Sequence, residues 1–231
     1  MNNLPSVSVL TPLTYDRIRF LDLMILNITS QEYPHELIEW VVVGDDIPDT
    51  EKTFKNIFKN NSLEGIKCKY VKCDILNDIG KKRNICVENA SHKILANMDS
   101  DDIYHKTFLS YSINELRSRK CGIVGCRDLM ILFPLYKKIK YVQGSSIHEG
   151  TSVFKKKHWR LFKYREGVKY AEGSIISKGG NNYNELDIRK MMICISHTTN
   201  TFDKSRFFDN PDVEFSDENL QNLLNIIPSK I

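Results

Sequence analysis

The first hundred residues hold four short apolar runs, separated by stretches with helical spacing, and this alternation admits few folds. Residues 6–10, Ser6-Val7-Ser8-Val9-Leu10, end at Thr11-Pro12 and read as a buried strand. Residues 16–30 place Ile18, Leu21, Ile25 and Ile28 at helical intervals. Residues 37–43 are apolar and β-branched, and Gly44-Asp45-Asp46 stops them. Residues 51–60 put Phe54, Ile57 and Phe58 on one helical face. Residues 66–71 alternate as a strand, 78–90 read as a helix, and 92–98 as a fourth strand. The order β-α-β-α-β-α-β predicts an α/β fold: a mostly parallel sheet with helices on both faces.

The second half is less regular. A helix is expected from 106 to about 118, and strands at 122–124, 129–133 and 139–143. A basic, aromatic stretch at 155–165 precedes a loop candidate at 178–184, rich in Gly and Asn. Residues 191–196 read as a strand ending at His197, and 218–227 as a C-terminal helix. A chain of 231 residues can bury a sizeable core as one domain. The expected division of this domain is a regular half, 1–104, and a less regular half, 105–231.

Charge and hydropathy exclude some classes. The net charge is +4, with basic residues spread along the chain, which is no nucleic-acid footprint. No run of about 18 apolar residues offers a transmembrane helix. The amino-terminal residues lack the basic and apolar regions of a signal peptide, so a cytoplasmic location is expected. The six cysteines show no Cys-x-x-Cys spacing, and reduced core thiols are expected.

The chemistry concentrates in Asn97-Met98-Asp99-Ser100-Asp101-Asp102, directly after the apolar Ile94-Leu95-Ala96. Three carboxylates in four residues at the end of a buried strand repel one another and resist dehydration. A bound divalent cation offsets both problems, because hard cations take carboxylate oxygens. The ordinary alternative is an acidic turn that caps the next helix. Other strand ends carry polar groups too: Thr11-Pro12, Asp45-Asp46, and the region of Gly80-Lys81-Lys82-Arg83-Asn84. Ligands of open parallel sheets bind at these carboxyl ends.

These pieces, in this order, resemble the GT-A glycosyltransferases, most closely family 2. Val7 to Pro12 and Val41-Val42-Val43-Gly44-Asp45-Asp46 match its opening strands. Gly80-Lys81-Lys82-Arg83-Asn84 is similar to its Gly-x-x-Arg-Asn element, and Asn97 to Asp102 to its Asp-x-Asp motif. The likeness covers roughly residues 6–110. The usual Asp-Asp-Gly-Ser is here Asp45-Asp46-Ile47-Pro48.

The resemblance implies a metal-dependent enzyme that moves a hexosyl or deoxyhexosyl group from a nucleotide-diphosphate sugar, a UDP-sugar first of all, to a glycan or other hydroxyl acceptor. Thr11 and Pro12 would line the nucleotide pocket. Asp45 or Asp46 would accept from a base N–H. Arg83 would contact the base or the diphosphate. Asp99, with Ser100 beside it, would hold ribose hydroxyls or a metal-bound water. Asp101 would ligate Mn²⁺ or Mg²⁺, and Asp102 would support it or cap the following helix. Some GT-A enzymes place a late histidine on the metal, and His197 matches that element; a strand-end histidine bonded to backbone is the alternative. An inverting transfer needs a carboxylate base. Glu172 lies where the family carries one, and Glu149, Glu185 and Asp187 are rivals. Trp159, Tyr104 and Tyr183 could stack on sugar or simply pack. Two other functions share this chemistry or fold. A sugar nucleotidyltransferase would carry a Gly-rich phosphate loop after the first strand, and 11–17 has no glycine. A non-catalytic nucleotide- or glycan-binding module is the other.

Overall fold

A computed structural model describes residues 4–46, 48–59, 63–74, 78–178 and 184–227. The elements are β1 (Val7–Leu13), α1 (Leu21–Thr29), β2 (Ile38–Asp45), α2 (Pro48–Lys59), β3 (Lys67–Cys73), α3 (Ile79–Asn89), β4 (Ile94–Asn97), β5 (Ile103–Tyr104), α4 (Phe108–Ser118), β6 (Ile123–Gly125), β7 (Leu129–Phe133), β8 (Lys138–Val142), β9 (Val153–Lys155), α5 (Lys156–Leu161), α6 (Ser174–Lys178), β10 (Asn184–Glu185), β11 (Met192–Ile195) and α7 (Asp217–Asn225).

The expected α/β sheet is present. Its strand order is β10-β6-β9-β4-β1-β2-β3. β1 lies parallel to both β2 and β4, pairing Leu10 with Val41 and with Asn97. Only β9 opposes its neighbours, β4 and β6. Every residue of β1 and β2 is buried, as strands covered on both faces must be. Strand alternation sends Val7, Val9, Trp40 and Val42 to one face, against α1, α2 and α4. Leu10, Val41, Val43 and Leu95 face the other way, against α3 and α5. The edge strand β3 is half-exposed and carries Lys67, Lys69 and Lys72, which discourage pairing with another chain. Pro12 is tolerated in β1 because the pairing with β4 stops at Leu10, where the strand loses one neighbour.

Several boundaries differ from the sequence reading. β1 continues through Thr11-Pro12 to Leu13. Residues 16–30 split into a 3₁₀ turn, Tyr15–Phe20, and α1. Residues 103–104 form β5, which pairs antiparallel with β11, so the next helix begins only at Phe108. Its N-cap is Thr107, which overturns Asp102 as a helix cap. A second sheet, β5-β11-β7-β8, joins the acid turn to the late strand before His197. Of the loop candidate at 178–184, residues 179–183, with Tyr183, lie outside the described residues, while Lys178 ends α6 and Asn184 begins β10.

Candidate active site

The helix α3 presents an unusual face to the core. Gly80, Lys82, Arg83 and Asn84 are all buried. Asp78 caps the helix by accepting the Lys81 N–H at 2.9 Å. Lys82 is fully buried; its ammonium is paired with the Asp45 carboxylate and donates to Leu13 O at 3.0 Å. Asp45 also accepts the Tyr15 N–H at 3.1 Å. Asp45 is therefore a structural anion, and of the two candidates only Asp46 has accessible oxygens, half-exposed beside Lys72 at 2.9 Å.

Arg83, one residue on, serves a different wall. Its Nη1 lies 2.8 Å from Asp99 Oδ1, and its Nη2 donates to Asp99 Oδ2 at 3.0 Å. Its Nε donates to Glu172 Oε1 at 3.0 Å. This planar fork fixes two carboxylates at once. Burial lowers the guanidinium's proton affinity, but Asp99 and Glu172 together raise it well above the usual value. Arg83 is therefore no exposed helix residue; its direct partners are carboxylates.

The acid turn is braced from below. Asn27, buried on α1, donates to Asp102 O at 2.8 Å and accepts the Tyr104 N–H at 2.9 Å. The Tyr104 hydroxyl accepts the Asp99 N–H at 2.8 Å and donates to Gly150 O at 2.9 Å. Tyr104 thus packs rather than stacks on a ligand. Asp102 accepts the Ile195 N–H at 3.0 Å, which ties the turn to β11. Ser100 is fully buried, and its Oγ has no hydrogen-bond partner among the described residues.

Asp101 is where three segments converge. Arg17 Nη1 donates to Asp101 Oδ1 at 3.1 Å. His197 Nε2 stands 2.8 Å from Asp101 Oδ2. Arg17 also donates to Thr201 Oγ1 at 3.1 Å, so it stitches the segment after β1 to the loop after β11. Burial pushes the Asp101 carboxyl up, but Arg17, His197 and Lys204 outweigh it and hold it well below the carboxylate range.

A cleft of about 760 Å³ opens onto these groups. Pro12, Arg83, Asp99, Asp101 and Glu172 line it, and so does Glu149. Thr11 does not. It is buried, donating to Met98 O and accepting from Trp40 Nε1, each at 2.9 Å, and braces the sheet. His197 reaches the site only through Asp101, with its side chain fully buried. The other rivals stand apart. Glu185 pairs with Arg127, and Asp187 caps a short turn by accepting the Arg189 N–H at 3.0 Å. Trp159 is corrected to a core residue: it is buried, and its Nε1 donates to Asn84 Oδ1 at 2.9 Å.

The sequence reading missed Arg17, Lys82 and Lys204. Residues 16–30 read as one helix with no role for Arg17, and Lys82 enters only as a position of the Gly80 to Asn84 element. The signal for Lys82 was its place: one residue from Arg83, on a helix packed against β1 and β2.

The donors present fit a divalent cation. Neighbouring ligands of a six-coordinate ion with bonds near 2.1 Å lie about 3 Å apart. The 2.8 Å between Asp101 Oδ2 and His197 Nε2 is close to that spacing. Of the two, only Asp101 lines the cleft; the buried imidazole, whose Nε2 also lies 2.8 Å from Asn200 Nδ2, would give up that contact to join it, and imidazole suits Mn²⁺ better than Mg²⁺.

Comparison with known proteins agrees with this fold. The sequence profile described as glycosyl transferase family 2 matches residues 8–177, most of the chain. No curated protein sequence matches. Among solved structures, Staphylococcus aureus TarS 1–349 in complex with UDP-GlcNAc is similar, with a TM-score of 0.65 and 16% identity over 85% of this chain and 60% of that one. The mannosyltransferase PcManGT of Pyrobaculum calidifontis, in complex with GDP-Man and Mn²⁺, has a TM-score of 0.64 and 17% identity over 89% of this chain and 59% of that one. The chain thus spans about 60% of the length of these structures.

Proposed function

Because the chain belongs to glycosyl transferase family 2, we propose that it transfers a sugar from a nucleotide-diphosphate donor to a hydroxyl acceptor, with a divalent cation and by a single inverting displacement. The observation that carries this reading is the convergence of Asp101, Asp99 and Arg83 on one cleft at the carboxyl end of β4 and β1, with His197 buried behind Asp101.

The 1–104 half binds the donor and 105–231 supplies the acceptor wall. Pro12 borders the nucleotide, and Asp46, the accessible member of its pair, accepts from the base. Arg83 holds Asp99 toward the ribose, with Ser100 packed beneath the turn. Asp101 and His197 hold Mn²⁺ or Mg²⁺. When bound, the cation neutralises charge on the departing diphosphate. Glu149 and Glu172 are the carboxylates within reach of an acceptor hydroxyl. A UDP-sugar is the first donor to try, supported by the UDP-GlcNAc bound in TarS; GDP-mannose is the second, from the archaeal enzyme.

The test is a thermal-shift titration of UDP- and GDP-sugars with and without Mn²⁺, because a ligand of the native state raises the melting temperature. The reading predicts a shift that needs nucleotide and metal together, followed by nucleotide release in an acceptor screen. A melting temperature indifferent to every nucleotide, with metal or without, would sink it.

A further inference from the structure

Two carboxylates meet on the wall of the cleft, and the chain treats them differently. Glu172 is 7% exposed and held by Arg83 Nε, on the same guanidinium that grips Asp99. Glu149 enters from the 3₁₀ turn Glu149–Thr151 that leads into β9. Its Oε1 accepts the backbone N–H of Gly173 at 2.9 Å. Among the described residues its carboxylate forms no ion pair, and its own backbone N–H is a second hydrogen-bond donor to it. A Cβ on residue 173 would fall 2.4 Å from Glu149 Cγ and 2.6 Å from Oε1. Glycine at 173 therefore leaves the space that the Glu149 carboxylate fills, next to Glu172.

Resting on the glycosyl-transfer reading above, we propose that Glu149 is the general base of the transfer and that Glu172 is a positioning residue acting through Arg83. In the step, the acceptor O–H bond breaks and its proton passes to Glu149 Oε2. The acceptor oxygen forms a bond to the anomeric carbon. The bond from that carbon to the diphosphate breaks, and its electron pair leaves with the nucleoside diphosphate.

The environment of each carboxylate supports this division. Oε1 of Glu172 is already taken by the Arg83 guanidinium, which engages that oxygen in positioning. A carboxylate without a cation, withdrawn from water beside another negative charge, takes a proton more readily. Burial first, and the Glu172 charge second, push the Glu149 carboxyl above its usual range, against the opposing pull of His148 and Arg83. Tyr164 is the other titratable group facing it, and its hydroxyl is itself held neutral by burial. The Glu149 carboxyl thus holds its proton more firmly than an ordinary glutamate, as a general base working near neutral pH requires.

The experiment compares the full chain with Glu149→Gln and Glu172→Gln in three readouts: sugar transfer against pH, UDP binding with Mn²⁺, and titration of ¹³C-labelled glutamate carboxyls. Glu149→Gln is expected to lower kcat about 10²- to 10⁴-fold and to leave UDP affinity unchanged. Glu172→Gln is expected to keep more activity and to move the acid limb of the kcat/KM profile to lower pH, since the charge that raises Glu149 is gone. In the wild type, the Glu149 carboxyl should titrate at higher pH than an ordinary glutamate. Transfer at the wild-type rate by Glu149→Gln, a deeper loss in Glu172→Gln with an unshifted profile, or a Glu149 carboxyl that titrates like an ordinary glutamate would each overturn the assignment. If the wild type transfers sugar from no donor, the glycosyl-transfer reading falls; the Glu149 titration still decides for or against the raised proton affinity on which this inference stands.

Discussion

Asp101 and His197 lie 96 positions apart, yet Oδ2 of one and Nε2 of the other stand 2.8 Å apart. Arg17 holds the second Asp101 oxygen at 3.1 Å. Asp101→Asn keeps the shape of the turn and removes the anionic ligand. The expected result is loss of the Mn²⁺-dependent component of UDP binding, read by calorimetry, with an unchanged far-UV spectrum. His197→Gln should weaken that component less, because the carboxylate stays. Full metal-linked binding in Asp101→Asn would remove this residue from the metal site.

The pair of Lys82 and Asp45 carries a stability prediction. Both are buried, at 0% and 2% exposure. Lys82→Met leaves the Asp45 carboxylate in the interior without its cation, and breaking such a pair costs about 3–5 kcal/mol. The double variant Lys82→Met with Asp45→Leu should cost less than Lys82→Met alone, since two apolar groups replace two charges. Urea denaturation of the three proteins measures this. A single variant as stable as the wild type would contradict it.

Gly80 sits in the first turn of α3, under the segment that carries Glu172. A Cβ there would lie 1.8 Å from Arg165 O and 3.2 Å from Glu172 Cβ. In an open helix, Gly→Ala gains about 1 kcal/mol. Here the sign reverses: Gly80→Ala should lower the melting temperature and reduce transfer together, because the segment is forced off the helix. A stabilised, fully active variant would show that the contact yields without effect.

Glu39 predicts a response to acid. It is 1% exposed, and its carboxylate accepts from Ser8 Oγ, from Ser91 N–H at 2.7 Å and from Ser91 Oγ at 2.6 Å. Burial raises its pKa, but the Ser8 and Ser91 hydrogen bonds prevail, and the net shift is downward. The folded value therefore lies below the unfolded one. Its contribution is complete above the unfolded glutamate pKa, about 4.3, and is lost as pH falls from there through the folded value. Glu39→Gln should be less stable at neutral pH and lose less stability on acidification. Urea midpoints from pH 7 to pH 3 test this; parallel curves for the two proteins would refute it.

Much of the frame is written locally in the chain. Apolar runs and helical spacing mark β1 to β4 with α1 to α3, and the strand ends mark where polar groups gather. The brackets around those groups are not local. Arg17 meets Asp101 and Thr201 only after the chain has folded back from β11, and no spacing near Arg17 records it. Lys82 hides because a buried lysine looks like a surface one until its anion is located. Glu149 was visible as a carboxylate, but its role depends on Gly173 and Glu172, more than twenty residues downstream. The motif Gly80 to Asn84 was read for Arg83, while Asn84 fixes Trp159 and removes that ring from any ligand. The second sheet was unreadable because β5 has two residues and takes its stability from β11.

β9 runs against its neighbours between β4 and β6, hydrogen-bonded on both edges. The turn before it carries Glu149. The wall that carries Glu149 is thereby woven into the same sheet that holds the acid turn, so neither can swing away without tearing two ladders. Tyr170 and Phe202 lie outside that sheet and meet edge to face at the cleft, with ring centroids 6.4 Å apart. The frame of the cleft is thus a single piece, and its aromatic rim is the part that no ladder ties down.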